Sequence, residues 1–389
     1  MKSYTLLLTL CLSFLVGCTE PIRPEFDFKS GLVSVEGFVS TTLGGSSVTI
    51  SQLNAFNVGT NSYENIFISG AEVSFINTDT GNEVGLTEDI EAEVYLPPTD
   101  FLAKTGETWE LSISLADGRQ YKSFPETMEQ SVPISAIAAT YDPELTYNLG
   151  FDDFVPGHSI QVDFEDPPDS ENYYFWNYRS FEPRIICKTC YEVKIYREGE
   201  CVWAIPPERI TPEDVEAYPY WTYRCESDCW QIRYNQNISI FADEHTNGAA
   251  WSKLPVANVL LYNKRDILVE LRQISLSAAA YQYYETLKDI VDDNGGFNSP
   301  PSAALVGNMF NPNNADEFVL GRFTAAPAEI ARVFIKRSHI TERSLILDVV
   351  KQEGQPPPPG LLPEEWVFYA PCPEESRYNT SNKPEGWPY

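Results

Sequence analysis

Three histidines, His158, His245 and His339, are all that the chain contains, and none stands in an H-x-x-x-H or H-E-x-x-H spacing. The ligand set of a zinc hydrolase is therefore missing. There is no G-x-S-x-G elbow, phosphate-cradling glycine loop or dinucleotide fingerprint, which removes the common nucleophile and nucleotide motifs. Carboxylates are abundant, 56 against 27 lysines and arginines. A glycoside hydrolase works with a pair of them, but abundance singles out no pair. Asp243-Glu244-His245 has the donor types of a metal site, and Asp152-Asp153 and Asp292-Asp293 those of a weak Ca²⁺ site. In so acidic a chain Asp243-Glu244-His245 reads as a solvated loop, and neither aspartate pair has the regular D-x-D-x-D-G spacing. No catalytic, cofactor-binding or metal residue is assigned.

Eight cysteines carry the remaining reactive side chains. Cys11 lies inside the leading apolar block and Cys18 at its end, leaving Cys187, Cys190, Cys201, Cys225, Cys229 and Cys372. An even set in an exported chain reads as disulfides, and six thiols allow 15 pairings that spacing does not resolve. Zinc is the alternative, because Cys187-Lys188-Thr189-Cys190 followed by Cys225 and Cys229 resembles two ligand pairs. Export favours the disulfides. A redox site would need a thiol lowered by a helix N-terminus in a βαβ setting, and nothing around the C-x-x-C pair supplies one.

Export itself follows from the first residues. Lys2 precedes an apolar block from Tyr4 to Val16, the layout of a secretory signal. The block is too short to span a bilayer, which takes about 20 apolar residues, and Thr19, Glu20 and Pro21 end it. Its last residues, Leu15-Val16-Gly17-Cys18, resemble the lipobox of bacterial lipoproteins. That resemblance implies a signal peptide of residues 1–17 and lipidation of Cys18. Two or more acyl chains, at about 0.8 kcal/mol per buried CH₂, hold a domain stably on a membrane. Thr19 rather than Asp follows the cysteine, pointing to the outer membrane. Glu20, Glu25 and Asp27 resemble the acidic stretch that directs Bacteroidota lipoproteins to the cell surface.

The formal net charge is −29, which disfavours nucleic acid and anionic membrane surfaces as partners. With 43% hydrophobic and 13% aromatic residues, the chain sustains packed cores rather than disorder. Its length fits two domains with tails. Residues 18–30 read as an acidic tether, 31–128 as an immunoglobulin-like β-sandwich, 129–345 as a second β-rich domain, and 346–389 as a Pro-rich tail with a stiff spacer at Pro356 to Pro359.

Period-two patterning supports the first module most clearly at Trp109, Leu111, Ile113 and Leu115, which alternate with Glu110, Ser112 and Ser114. Asp117-Gly118 then supplies a hairpin turn. Further strands are expected at Leu32 to Val39, Ser47 to Ile50, Ala71 to Ile76 and Gln120 to Lys122. In the second domain they are expected at Ile160 to Phe164, Asn172 to Tyr178, Gln236 to Phe241 and Asp266 to Ile274, with Phe318 to Phe323 and Arg332 to Ile335 closing it. The run from Asn172 to Tyr178 is aromatic on both faces, which predicts a strand buried on both sides. The segment of about 185–230 interrupts this sheet as a cysteine-bearing insertion, with a short helix from Pro212 to Ala217 capped by Thr211. Ser275 or Ser277 caps the principal helix, about 277–293, whose apolar stripe is Ala280, Tyr284, Leu287 and Val291 and which Asn294-Gly295-Gly296 ends.

In order, these features resemble the Bacteroidota lipoprotein family known as domain of unknown function 4249, over nearly the whole mature chain. The resemblance rests on Leu32-Val33-Ser34-Val35-Glu36-Gly37, Ser69-Gly70-Ala71-Glu72-Val73, Asp166-Pro167-Pro168 with Asn172-Tyr173-Tyr174, and Ser277-Ala278-Ala279-Ala280-Tyr281-Gln282-Tyr283-Tyr284. It continues through Pro300-Pro301, Gly307-Asn308 and Leu320-Gly321-Arg322-Phe323, where Arg322 replaces an expected aromatic or small residue. It implies a TonB-dependent outer-membrane receptor as partner and an accessory role at the transporter mouth, and it supplies no catalytic residues or cofactor. The expected function is therefore non-catalytic capture of a nutrient ligand or shaping of the transporter entrance at the cell surface. A structural subunit of an outer-membrane complex is the alternative, and a surface hydrolase the third reading.

Overall fold

The computed structural model describes residues 31–57, 62–148, 150, 152–168, 170–217, 220–235, 237–244, 246–292, 305–345, 369–373 and 377–389. The segments expected as signal peptide and tether, with Cys18, and His245, Asn294-Gly295-Gly296, Pro300-Pro301 and Pro356 to Pro359 lie outside the described residues. The chain is mainly β. Among the described residues no helix is long and apolar enough to cross a membrane, which says nothing of a β-barrel.

Two six-stranded sheets face each other in the N-terminal body. In one, Leu32–Ser40 pairs antiparallel with Ser47–Asn57, which in turn carries Ser62–Phe67 and Val94–Leu96. In the other, Thr108–Ser114 lies between Glu72–Asn77 and Gln120–Ser123. The alternation expected at Trp109, Leu111 and Ile113 is observed, with each side chain buried and its neighbours half-exposed. These residues meet Val35, Val48, Ile50, Phe75 and Phe323 in one apolar core. Each fully buried large side chain contributes about 1.5–3 kcal/mol.

Residues 31–128 do not complete this body. Leu320–Ala326, expected to close the second domain, instead pairs parallel with Leu32–Ser40, and Met309–Phe310 joins Gln120–Ser123 in the facing sheet. The layers are those of a β-sandwich, but it is not a contiguous immunoglobulin-like module. Local patterning reveals that Leu320–Ala326 is a strand without revealing its partner, because a parallel pair needs a long crossover that adjacent sequence does not encode. Two glycines permit the join. A Cβ on Gly37 would stand 3.0 Å from both Leu111 and Phe323, and one on Gly321 (φ +87°) only 2.1 Å from the Val35 carbonyl oxygen.

The second body is also two-layered but unequal. A three-stranded sheet of Ile134–Asn148, Asp153–Glu165 and Ala250–Leu260 faces a six-stranded sheet built around Tyr173–Pro183 and Ile267–Leu276. Ile160, Val162 and Phe164 from the first meet Tyr174, Trp176, Val269 and Leu271 from the second. On the reverse face, Phe175 stacks on Tyr284 at 5.0 Å and Tyr173 packs tilted against Tyr281 at 4.9 Å, both partners from the helix Ala278–Asp292. The aromatic run is thus covered from both sides.

Ser277 caps that helix, its Oγ accepting from the Ala280 amide at 3.2 Å. The expected stripe needs correction. The buried helix residues are Ala280 and Tyr283, while Val291 is 45% exposed, because only the first turns rest on the sheet. The shorter helix Pro212–Ala217 begins as expected, with Thr211 Oγ1 accepting from Asp214 N at 3.2 Å and Asp214 reaching back to Thr211 N at 2.9 Å.

Candidate functional site

Among the described residues the cysteines pair as Cys187–Cys225, Cys190–Cys201 and Cys229–Cys372. Their segment forms a small sheet of Ile186–Tyr191, Tyr220–Cys225 and Tyr369–Ala370 with a separate hairpin, Lys194–Arg197 and Glu200–Trp203. Its core consists mainly of the cystines around Tyr223 and Ala370. So little apolar volume cannot hold a fold alone, and cross-links compensate by restricting the unfolded chain. The Cys187, Cys225 and Cys229 sulfurs lie within 4.8 Å of one another, which explains their resemblance to a zinc set. Each is committed to a disulfide and offers no thiolate.

The unequal layers of the second body leave a cleft of about 1100 Å³. Tyr173–Pro183 pairs along Arg179 to Pro183 with Trp230–Tyr234 and along Tyr173 to Trp176 with Ser239–Ala242. Between these contacts the chain steps away from the sheet. Asn235 holds the step by accepting from Tyr178 N at 3.2 Å and donating to Asn237 O at 2.8 Å. The narrower facing sheet ends at Ala250–Leu260, so the strip beyond that edge stays uncovered. Trp176, Tyr178 and Ser180 line the cleft from the central strand, and the segment from Pro255 to Leu260 forms the opposite wall.

The lining is tyrosine- and amide-rich, and among the described residues it contains no carboxylate, although Asp and Glu make up 56 of 389 residues. Arg233 is turned back onto Glu182, with Nε to Oε1 at 2.8 Å, and its guanidinium lies 4.5 Å above the Tyr262 ring. Burial is the main cause that raises the Tyr178 phenol, whose hydroxyl donates to Asn258 O at 2.9 Å. Tyr147, Tyr234 and Tyr378 stand at the rim, 47%, 41% and 47% exposed. The described side chains offer rings for stacking and amides and hydroxyls for hydrogen bonds to a ligand.

A family profile for Domain of unknown function (DUF4249) matches residues 19–329. The chain belongs to this family. No curated protein and no solved structure matches it. Arg377 and Tyr378, which complete the cleft, lie beyond the residues matched by the DUF4249 profile.

Three of the segments that carry the DUF4249 resemblance, at Ser277, Gly307-Asn308 and Gly321-Arg322-Phe323, meet at the join between the two bodies. Arg322 is buried and ion-paired with Glu126, and Ser277 Oγ donates to the other carboxylate oxygen at 3.0 Å. Asn308 donates to Phe323 O at 2.8 Å and accepts from Phe323 N at 2.9 Å. Burial pushes the Glu126 carboxyl up, against the pull of Arg322 and Ser277. Gly307 belongs to the same join, since a Cβ there would fall 1.6 Å from Gly321 O. Arg322 thus acts as the buried counter-charge to Glu126 and ties the late strand to the N-terminal body.

The remaining chemistry-bearing residues are dispersed. Burial, then Arg337 and His339, hold the His158 imidazole down to about 4, so it is a neutral core side chain. His339 is exposed. Asp243 is fully buried, accepting from the Asn172 amide at 3.0 Å, which corrects its reading as part of a solvated loop. Asp152 accepts from the Tyr147 hydroxyl. Asp292 pairs with Lys288 at 2.5 Å, while Asp293 lies outside the described residues. The cleft residues went unnoticed in the sequence, yet a signal exists: neither 229–242 nor 245–265 contains a single Asp or Glu.

Proposed function

We propose that this DUF4249 protein is a lipid-anchored outer-membrane protein of Bacteroidota type, tethered through Cys18, that serves as a non-catalytic surface accessory to a TonB-dependent receptor. The cleft, whose described lining holds tyrosines and amides and no carboxylate, supports the binding part of this reading. Glycoside hydrolysis needs two positioned carboxyl groups, whereas tyrosine rings and side-chain amides are suited to holding a substrate unchanged. The lipobox-like Leu15-Val16-Gly17-Cys18 supports the anchor, and the acidic Glu20, Glu25 and Asp27 support display at the surface. The receptor partner rests on the family resemblance. A disulfide-stapled body suits an oxidising, extracytoplasmic setting.

Purification of the tagged lipoprotein from its native outer membrane in mild detergent tests this reading. A β-barrel receptor in near-stoichiometric amount is the expected result. Recovery without a receptor, or with periplasmic assembly proteins instead, would replace it with a structural role. Cys18→Ser should release the protein from the membrane fraction and checks the anchor separately.

A further inference from the structure

We infer that the cleft of the second body binds an uncharged oligosaccharide, a ligand class that rests on the accessory reading above and sharpens it. The first argument is charge. In a chain of net charge −29, carboxylates are absent from the described residues of this lining. One of its two arginines is neutralised by Glu182, and the other, Arg377, donates to the Tyr378 hydroxyl at 2.9 Å and lies over that ring at 5.1 Å. Arg233 is thus compensated, while Arg377 keeps its charge at the exposed rim, so the described walls of the cleft carry one uncompensated cation and no carboxylate that would trap a cation.

The second argument is the state of the rim tyrosines. Tyr147 spends its hydroxyl on Asp152, Tyr234 donates to Arg377 O at 3.1 Å, and Tyr378 accepts from Arg377. Their hydroxyls hold the rings in place, and the rings are what they expose. An aromatic face is electron-rich, and the axial C–H face of a pyranose is its complement. Asn237 and Asn258, both exposed on the same lining, supply paired donors and acceptors for vicinal hydroxyls. Size agrees, since about 1100 Å³ exceeds the roughly 300–1,000 Å³ of single-ligand pockets and admits several sugar rings.

A peptide added as a strand fits less well. The available edge is Ala250–Leu260, where Pro255 lacks an amide, Lys253 adopts φ +54°, and two register shifts break the ladder with Asp153–Glu165. Such an edge is guarded against strand addition.

The test uses the full-length, disulfide-intact lipoprotein in detergent on an array of neutral and acidic oligosaccharides with a peptide library alongside. Binding to neutral members is expected, weakened roughly tenfold or more by Tyr234→Ala or Asn258→Ala, with the far-ultraviolet and thermal profiles of both variants unchanged. Binding confined to acidic glycans or to peptides, no binding to any array member, or neutral binding indifferent to both substitutions would overturn the inference. Receptor copurification is scored on the same variants. A retained receptor without glycan binding rejects the ligand class alone, whereas glycan binding without any receptor rejects the accessory reading alone.

Discussion

The two sandwiches of this molecule are built from similar strands but are finished differently. The N-terminal body recruits Leu320–Ala326 from the far end of the chain and closes over a continuous apolar core. The second body sets three strands against six and leaves one flank open. In the first, buried charge is used for joining, through Glu126 and Arg322. In the second, the described residues of the open flank include no carboxylate. The difference teaches that an incomplete second layer leaves a cleft on one body, while Gly321, Arg322 and Asn308 secure the closure of the other.

The largest test of this contrast is Gly321→Val. A branched side chain there meets the Val35 backbone and a left-handed φ, so the parallel strand cannot dock. Loss of the folded N-terminal body is expected, read as disappearance of protection from hydrogen exchange along Leu32–Ser40. Arg322→Met should cost about 3–5 kcal/mol by leaving Glu126 buried without its counter-charge, and adding Glu126→Leu should restore most of that loss in denaturant titrations.

Much of the closed half was legible in sequence because its strands alternate cleanly, as at Trp109, Leu111 and Ile113, and because caps such as Ser277 and Thr211 act locally. The partner of Leu320–Ala326 was not legible, since it is set by packing across the whole chain. The walls of the cleft were harder still. Ile134–Asn148 and Ala250–Leu260 are half-wet and interrupted by register shifts, so their period of two is blurred. The cleft itself joins separated segments, and only the run of residues free of carboxylates marks it.

Removing Cys229–Cys372 by paired Cys→Ser substitution should destabilise the insertion by about 2–4 kcal/mol. The N-terminal body, which has no disulfide among its described residues, should keep its exchange protection; equal loss in both bodies would contradict their separation. Acid sharpens the contrast further. The folded His158 value, about 4, lies below the roughly 6.5 of an unfolded histidine. The unfolded chain therefore takes the proton first, and the second body should lose about 2–3 kcal/mol as pH falls from about 6.5 to about 4. Glu126 is shifted up, so the first body gains stability as pH falls toward the unfolded carboxylate value. Residue-resolved exchange at pH 4.5 and 7 should show the second body loosening first, and His158→Gln should flatten its pH dependence.

The most direct measurement is labelling of Asn258→Cys, at the exposed wall of the cleft, on intact cells with a membrane-impermeant maleimide. A surface accessory with an open capture cleft predicts labelling without permeabilisation, while the parent protein, its other described cysteines paired, stays unlabelled. Labelling that appears only after the outer membrane is breached would place the cleft in the periplasm and contradict that role.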